Sequence, residues 1–255
     1  MKKIFFTLFI VFTSFSFLKA ENIQVDTLWN KAIDAYTIGE YQQALDSFEK
    51  LEQSGYKSSA LFYNMANSYF KIGGYLGKSI LYYERSLRLD PSFEDAQANL
   101  ALAKDFTQDK IDQVPEFIMI TGVKGFMKSL SPDGWAYISI VLFFIVVGVL
   151  LVFRYTGSSL IKKISFIFAI LLLLMSIGSF VFSIDLKSQV ESDDYAIVIN
   201  PVTSVRSSPG DAGKSLFILH EGAKVEILER LGSWTRVEIA DGKQGWMQSN
   251  HFEII

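Results

Sequence analysis

Residues 134–153, GWAYISIVLFFIVVGVLLVF, and residues 164–184, ISFIFAILLLLMSIGSFVFSI, each run without a charged side chain. Asp133 and Arg154 bound the first; Lys163 and Asp185 bound the second. At a rise of 1.5 Å per residue, about twenty helical residues cover roughly 30 Å, the thickness of bilayer hydrocarbon. Helices buried in soluble proteins rarely run so far without a charge, so both stretches are expected to be transmembrane helices. Ser131-Pro132 reads as an N-cap and first helical position, giving spans over 132–153 and 164–184. Trp135 and Tyr137 suit an interfacial belt at the first end of the first span.

The connection, residues 154–163, carries Arg154, Lys162 and Lys163 and no acid. Short loops rich in Lys and Arg stay in the cytoplasm, which places everything before Trp135 and after Ile184 outside. The start of the chain predicts the same. Lys2 and Lys3 precede an uncharged run from Ile4 to Leu18, and Ala20 closes it. That is a secretory signal pattern over residues 1–20. Cleavage after Ala20 or after Ser16 fits, and an uncleaved anchor is the alternative; either sends the following domain outside. Hydrophobic residues make up 50% of the chain, an excess that these three runs largely explain. Residues 115–130 form a further amphipathic segment, with Met119, Ile120, Val123, Phe126, Met127 and Leu130 at helical spacing on one face. It is expected to lie on the outer leaflet or to pack on the preceding domain.

Between the signal and that segment the sequence repeats at a period of 34. Asn30 recurs as Asn64, Ala32 as Ala66, Tyr36 as Phe70, Gly39 as Gly73 and Tyr41 as Tyr75. One extra residue near Gly73-Gly74 then shifts the register, and Ala44, Phe48 and Leu51 recur as Ser79, Tyr83 and Ser86. Small residues let two helices cross closely, Gly39 and Gly73 end the first helix of each pair, and Pro91 stops the last long helix. These positions resemble the tetratricopeptide repeat. A third first-helix, Glu94 to Phe106, would cover the end of the second pair, so that residues 21–114 make two repeats and a capping helix, close to the minimum that buries a core. The resemblance implies a concave groove for a peptide, with Asn30, Asn64, Asn67, Lys71 and Asn99 facing it as candidate partner-binding residues. Packing or solvation of those Asn side chains is the competing reading. With 9 basic and 14 acidic residues from Glu21 to Pro115, a polyanionic ligand is disfavoured.

From Asp194 to Ile255 the period changes to two. Six short strands are expected, at 196–199, 204–206, 216–219, 224–228, 234–239 and 245–247, separated by turn signals such as Ser208-Pro209-Gly210 and Asp241-Gly242. Six strands in about 60 residues suggest a barrel. The stretches Ser204-Val205-Arg206-Ser207-x-Pro209, Glu221-Gly222, Trp234-Thr-x-Val237 and Gly245-Trp246-Met247 resemble the bacterial SH3-like domain, which implies an adaptor or wall-associated module. Trp234 and Trp246 are expected as half-buried wall residues that double as candidate contacts. Arg206 is expected to cap the core by hydrogen bonds. His220 is expected on the surface.

No catalytic motif is present. The chain has no cysteine and two histidines without a partner pattern, and it lacks H-E-x-x-H, G-x-S-x-G and a phosphate loop. No cofactor or metal is expected, and a net charge of −3 gives no basic footprint for nucleic acid. The expected architecture is therefore a multidomain membrane protein: an all-α tetratricopeptide-repeat domain, two transmembrane helices and a C-terminal all-β SH3-like barrel. That order, with Asn99-Leu-Ala-Leu-Ala-Lys-Asp105, Asp109-Lys-Ile111 and Ser131-Pro-x-x-Trp135, resembles the E-type Bat aerotolerance-operon proteins of Bacteroidetes. The resemblance implies a non-enzymatic scaffold on the periplasmic side of the inner membrane, working with other membrane proteins that carry von Willebrand A-type domains and with a MoxR-type ATPase. A cell-envelope sensor binding peptidoglycan peptides through the SH3-like domain is the alternative.

Overall fold

The structure, a computed structural model, describes residues 25–111 and 118–255. The signal segment, residues 1–20, and the start of the amphipathic segment lie outside the described residues. The described residues open with short helices in sequence: α1 (25–37), α2 (Tyr41–Gln53), α3 (Ser59–Ile72), α4 (Leu76–Leu89) and α5 (Glu94–Asp105). Gly39 ends α1 at φ +86°, with its own N–H and that of Glu40 turned back to the carbonyls of Tyr36 and Ala35. Those bonds satisfy carbonyls that a helix end leaves orphaned. Gly73 ends α3 at φ +81° and ψ +157°, a backbone conformation that glycine adopts readily.

The core of this helical unit is built from the repeat positions. Ala32, Ala44, Phe48, Leu51, Leu61, Met65, Ala66, Ile80 and Leu81 are wholly buried. Ser79 and Ser86 stand where the first pair has Ala44 and Leu51. Their buried hydroxyls donate to the carbonyls of Ala66 (3.0 Å) and Ser59 (2.8 Å), which removes the cost of an unpaired polar group. Tyr69 and Tyr82 stack at 5.5 Å and donate to Glu49 and Glu52, both at 2.9 Å, tying α3 and α4 to α2.

Two long helices follow, α7 (Pro132–Tyr155) and α8 (Ser159–Glu191), and each is long and apolar enough to cross a membrane. Ser131 caps α7 by accepting from Gly134 N–H. The stretch between the two helices, 156–158, is shorter than the connection expected over 154–163. Gly157 interrupts the helix and Ser158 is the N-cap of the next one, while Lys162 and Lys163 are ordinary helix interior. Small residues line the seam. Ser139 Oγ donates to Ser176 O (3.0 Å) and Ser176 Oγ returns to Ser139 O (2.9 Å). Replacing both with Val should remove two interhelical bonds worth together about 1 kcal/mol; an earlier unfolding midpoint in an SDS titration of mixed micelles is the expected reading. A short helix, α6 (Ile118–Met127), lies against the Trp135 end of this pair. Met127 is buried with Trp135 and Leu186, and the Trp135 indole N–H donates to Met127 O at 2.8 Å. Helix α6 thus meets the ends of the spans, a contact in neither of its two expected settings, while Val123 and Phe126 stay exposed.

The C-terminal unit is one antiparallel sheet of seven strands: β1 (Tyr195–Val198), β2 (Val202–Arg206), β3 (Ser215–His220), β4 (Lys224–Leu231), β5 (Trp234–Ile239), β6 (Gln244–Gln248) and β7 (Phe252–Ile254), in the order β3-β2-β6-β5-β4-β1-β7. Its core is Ala196, Val198, Val205, Leu219, Val225, Val237, Met247 and Phe252. Strand β7 exceeds the six expected. Phe252-Glu253-Ile254, after a one-turn helix over Ser249–His251, is too short a run for its alternation to be read as a strand, and pairing with β1, Ala196 opposite Ile254, is what makes it one.

The helical unit and the sheet are docked. Ile197, which turns away from the sheet core, is wholly buried among the helices. Helix α4 lies along β1 and β7. Lys78 pairs with Glu253 at 2.5 Å, Arg85 donates twice to Ile254 O (2.7 and 3.2 Å), and Glu84 accepts from Lys104 of α5 and Lys224 of β4, both at 2.8 Å. The chain leaving α5 straps over the sheet. Asp109 accepts from the His220 N–H (2.6 Å) and pairs with His220 Nδ1 (2.8 Å), and Ile111 packs on the sheet core. His220 is therefore half-buried rather than a free surface side chain, because a carboxylate 111 residues away reaches it.

Candidate functional site

Two surfaces gather the residues that the sequence singles out. On the helical unit, the Asn side chains divide. Asn67 Oδ1 accepts from the Tyr83 hydroxyl (2.5 Å) and from Asn99 Nδ2 (3.0 Å), and Asn99 Nδ2 also reaches the Tyr63 hydroxyl at 3.2 Å. The structure brings Asn67 and Asn99 together and engages them with each other. Burial pushes the Tyr83 phenol up, so it stays a donor in this network. Asn64 donates to Ala60 O one turn back in its own helix (2.9 Å). Asn30 lies elsewhere, exposed in an open recess of about 520 Å³ shared with Thr27, Lys31, Asp34 and Gln43. Lys71 is exposed in the last turn of α3.

The candidate residues thus divide: Asn30 and Lys71 stay exposed, Asn64 bonds within its own helix, and Asn67 and Asn99 hold α3, α4 and α5 in register. The residues that sequence reasoning missed there are aromatic. Phe70 of α3 and Phe106, just past α5, meet edge to face at 5.7 Å. Phe106 is 63% exposed and Leu102 50%. Their i, i+4 spacing on a helix with no further helix covering it is the signal that was available.

On the sheet, Trp234 and Trp246 are half-buried on the outward face of β5 and β6. Trp246 stands in register between Arg206 of β2 and Arg236 of β5. Arg206 sits over the Trp234 ring at 5.7 Å and donates to Asp211 O. Its hydrogen bonds thus hold the β2–β3 hairpin, and its charge stays on the outward face. Arg236 donates to Gln244 Oε1 at 2.6 Å. Flat indole area flanked by two guanidiniums can stack an apolar or planar group and pair a carboxylate beside it. A second recess, of about 370 Å³, opens where Asp109, Lys110 and Ile111 cross Phe217 and Ile218 toward Asp241 and Lys243. Among the described residues, no group of three or more His, Asp or Glu side chains converges as a metal site.

Residues 201–253 match the bacterial SH3 domain family. A match over the sheet alone fits binding of a protein or of cell-wall material by this unit. No curated protein is matched by the chain.

Proposed function

We propose that the chain is a non-enzymatic, membrane-anchored adaptor that presents two protein-binding units on the periplasmic face of the inner membrane. The observation that carries this reading is the docking: helices α1–α5 and the sheet pack on one another beside the same end of α8, leaving the Trp234–Trp246 face and the exposed Phe106 side uncovered. Arg154, Lys162 and Lys163 at the other end of the pair favour a cytoplasmic connection. The helix pairs, with first helices ended by Gly39 and Gly73 and with Ala32 and Ala66 buried, support reading the helical unit as tetratricopeptide repeats with a capping helix. The order of the units supports a place in a Bat-type complex with other membrane proteins, including those with von Willebrand A-type domains, and with a MoxR-type ATPase. Affinity purification of the tagged full chain from membranes, beside a Lys71→Ala/Phe106→Ala variant, tests it. Membrane partners that copurify with the native chain and drop out with the variant are the expected result; no reproducible partner would overturn the reading.

The bacterial SH3 match, together with the Trp234–Trp246 face, favours one second reading, an envelope sensor that holds peptidoglycan peptides. Truncating a central aromatic anchor at such a face costs about 1–2 kcal/mol, on the order of tenfold in affinity. Trp246→Ala in the full chain should therefore lose about tenfold of its cosedimentation with purified cell wall. A native chain that stays in the supernatant removes the sensor reading and leaves the face for proteins.

A further inference from the structure

We infer that the helical unit, the sheet and the outer end of α8 form one rigid body, closed by successive helix capping through α4 and centred on Arg88, so that any movement of α8 carries both binding surfaces together. This goes beyond the adaptor reading and does not depend on which partner either surface takes.

The argument starts from helix ends. The first N–H groups and last C=O groups of a helix have no partners within it and need them from elsewhere. Helix α4 begins without a capping side chain of its own and without an acid in its first turn. Its cap comes from the sheet: Glu221 Oε2 accepts from Gly77 N–H at 2.9 Å, across 144 residues of sequence. A carboxylate there also meets the positive end of the helix dipole. Helix α8 ends with no basic residue in its last turn. Its cap comes from α4, where Arg88 Nε donates to Gln189 O at 2.7 Å and Nη2 donates to Ser192 O. The same guanidinium donates through Nη1 to Ile255 O beyond β7. One planar fork thus joins three separate pieces of structure, the geometry for which arginine is suited and lysine is not.

The contact surfaces agree. Gly77 on α4 and Gly222 in the sheet are the points of closest approach. A Cβ on Gly77 would stand 2.7 Å from Val198 O, and one on Gly222 would stand 2.7 Å from Ile80 Cδ1 and 2.8 Å from Thr107 Cγ2. Ile197 and Ile255 pack into the helical core from the other side. Undocking removes the Glu221 cap from α4 and the Arg88 fork from α8 at once, and leaves the α8 end with only the Ser192 hydroxyl on Gln189 O at 3.3 Å.

The chain has no cysteine, so paired spin labels can be placed uniquely in the full chain in lipid nanodiscs. One pair, Gln53→Cys with Glu229→Cys, reports the helical unit against the sheet; a second, Lys187→Cys with Glu229→Cys, reports α8 against the sheet. All three positions are exposed. Both pairs should give a single narrow distance distribution. Arg88→Ala should broaden the α8–sheet distribution at least twofold, and Glu221→Gln should broaden the helical–sheet one. Arg88→Lys, which keeps the charge and loses the fork, should broaden partly, and it carries the test if Arg88→Ala loses helical circular dichroism. A broad distribution in the native chain, or an α8–sheet distribution as narrow in the Arg88 variants as in the native chain, would overturn the inference.

Discussion

Gly77→Ala is expected to loosen the sheet from the helical unit by about 1–2 kcal/mol, the opposite sign from the same change in an ordinary helix. Exposed helix interiors gain roughly 1 kcal/mol when Ala replaces Gly, because Gly gives up more backbone freedom on folding. Gly77 is buried at the crossing of α4 with β1. An added Cβ would meet Val198 O at 2.7 Å, Glu221 Cβ at 3.2 Å and Ile199 Cα at 3.2 Å. Two of these three atoms are backbone and cannot swing aside. The helix must lift, and lifting it stretches the Gly77–Glu221 cap and the Lys78–Glu253 pair together. Overpacking of this kind costs about 1–3 kcal/mol, which outweighs the propensity gain. The measurement is hydrogen exchange of β1 and β7 in the full chain, which should speed up about tenfold. Gly125→Ala is the control: it lies in α6 with nothing near its Cβ position and should leave that exchange unchanged. Slower exchange with Gly77→Ala would mean that the close approach does not govern docking.

The architecture was legible where local chemistry repeats. Uncharged runs over 134–153 and 164–184 announce α7 and α8, the 34-residue return of Ala32 as Ala66 and Gly39 as Gly73 announces the helix pairs, and alternation such as Trp234-Thr-Arg-Val-Glu-Ile239 announces β5. The docking was not legible, because its parts look like something else in isolation. Lys78, Glu84, Arg85 and Arg88 have the spacing of a solvated helix face, yet their partners lie between 20 and 175 residues away in sequence. Gly77 looks like a weak helix position until Val198 and Glu221 are placed against it. The setting of the candidate Asn side chains was not legible for a related reason. An Asn that recurs with the repeat suggests a ligand, but whether its amide is free depends on the tyrosines opposite, and Tyr63 and Tyr83 engage Asn99 and Asn67. The Trp234–Trp246 face was legible because both indoles sit on the outward phase of regular strands.

Glu84→Gln is the second change with a large expected effect, about 2–3 kcal/mol of docking stability at neutral pH. The Glu84 side chain is only 12% exposed and joins α4 to α5 through Lys104 and to β4 through Lys224. Burial alone would raise its pKa, but Lys224 and Lys104 outweigh burial and hold the carboxyl at about 2, against an ordinary 4.5. Removing one member of a buried ionic cluster leaves the others uncompensated; here both ammoniums keep partial access to water, so the cost falls at the low end of that range. The pH dependence carries the sign. A carboxyl whose pKa is depressed in the folded state contributes stability that is fully present above its unfolded pKa, here 4.5, and that is lost as pH falls through the folded value of about 2. The native chain should therefore lose on the order of 3 kcal/mol between pH 4.5 and 2 from this one group. In Glu84→Gln that loss has already occurred at every pH, so the two stability curves should converge as pH approaches 2. Chemical unfolding of the full chain in detergent at pH 7, 4.5 and 2.5 reads both terms. Equal stabilities at pH 7 with parallel acid slopes would show that the Lys104–Glu84–Lys224 cluster adds nothing to the joint.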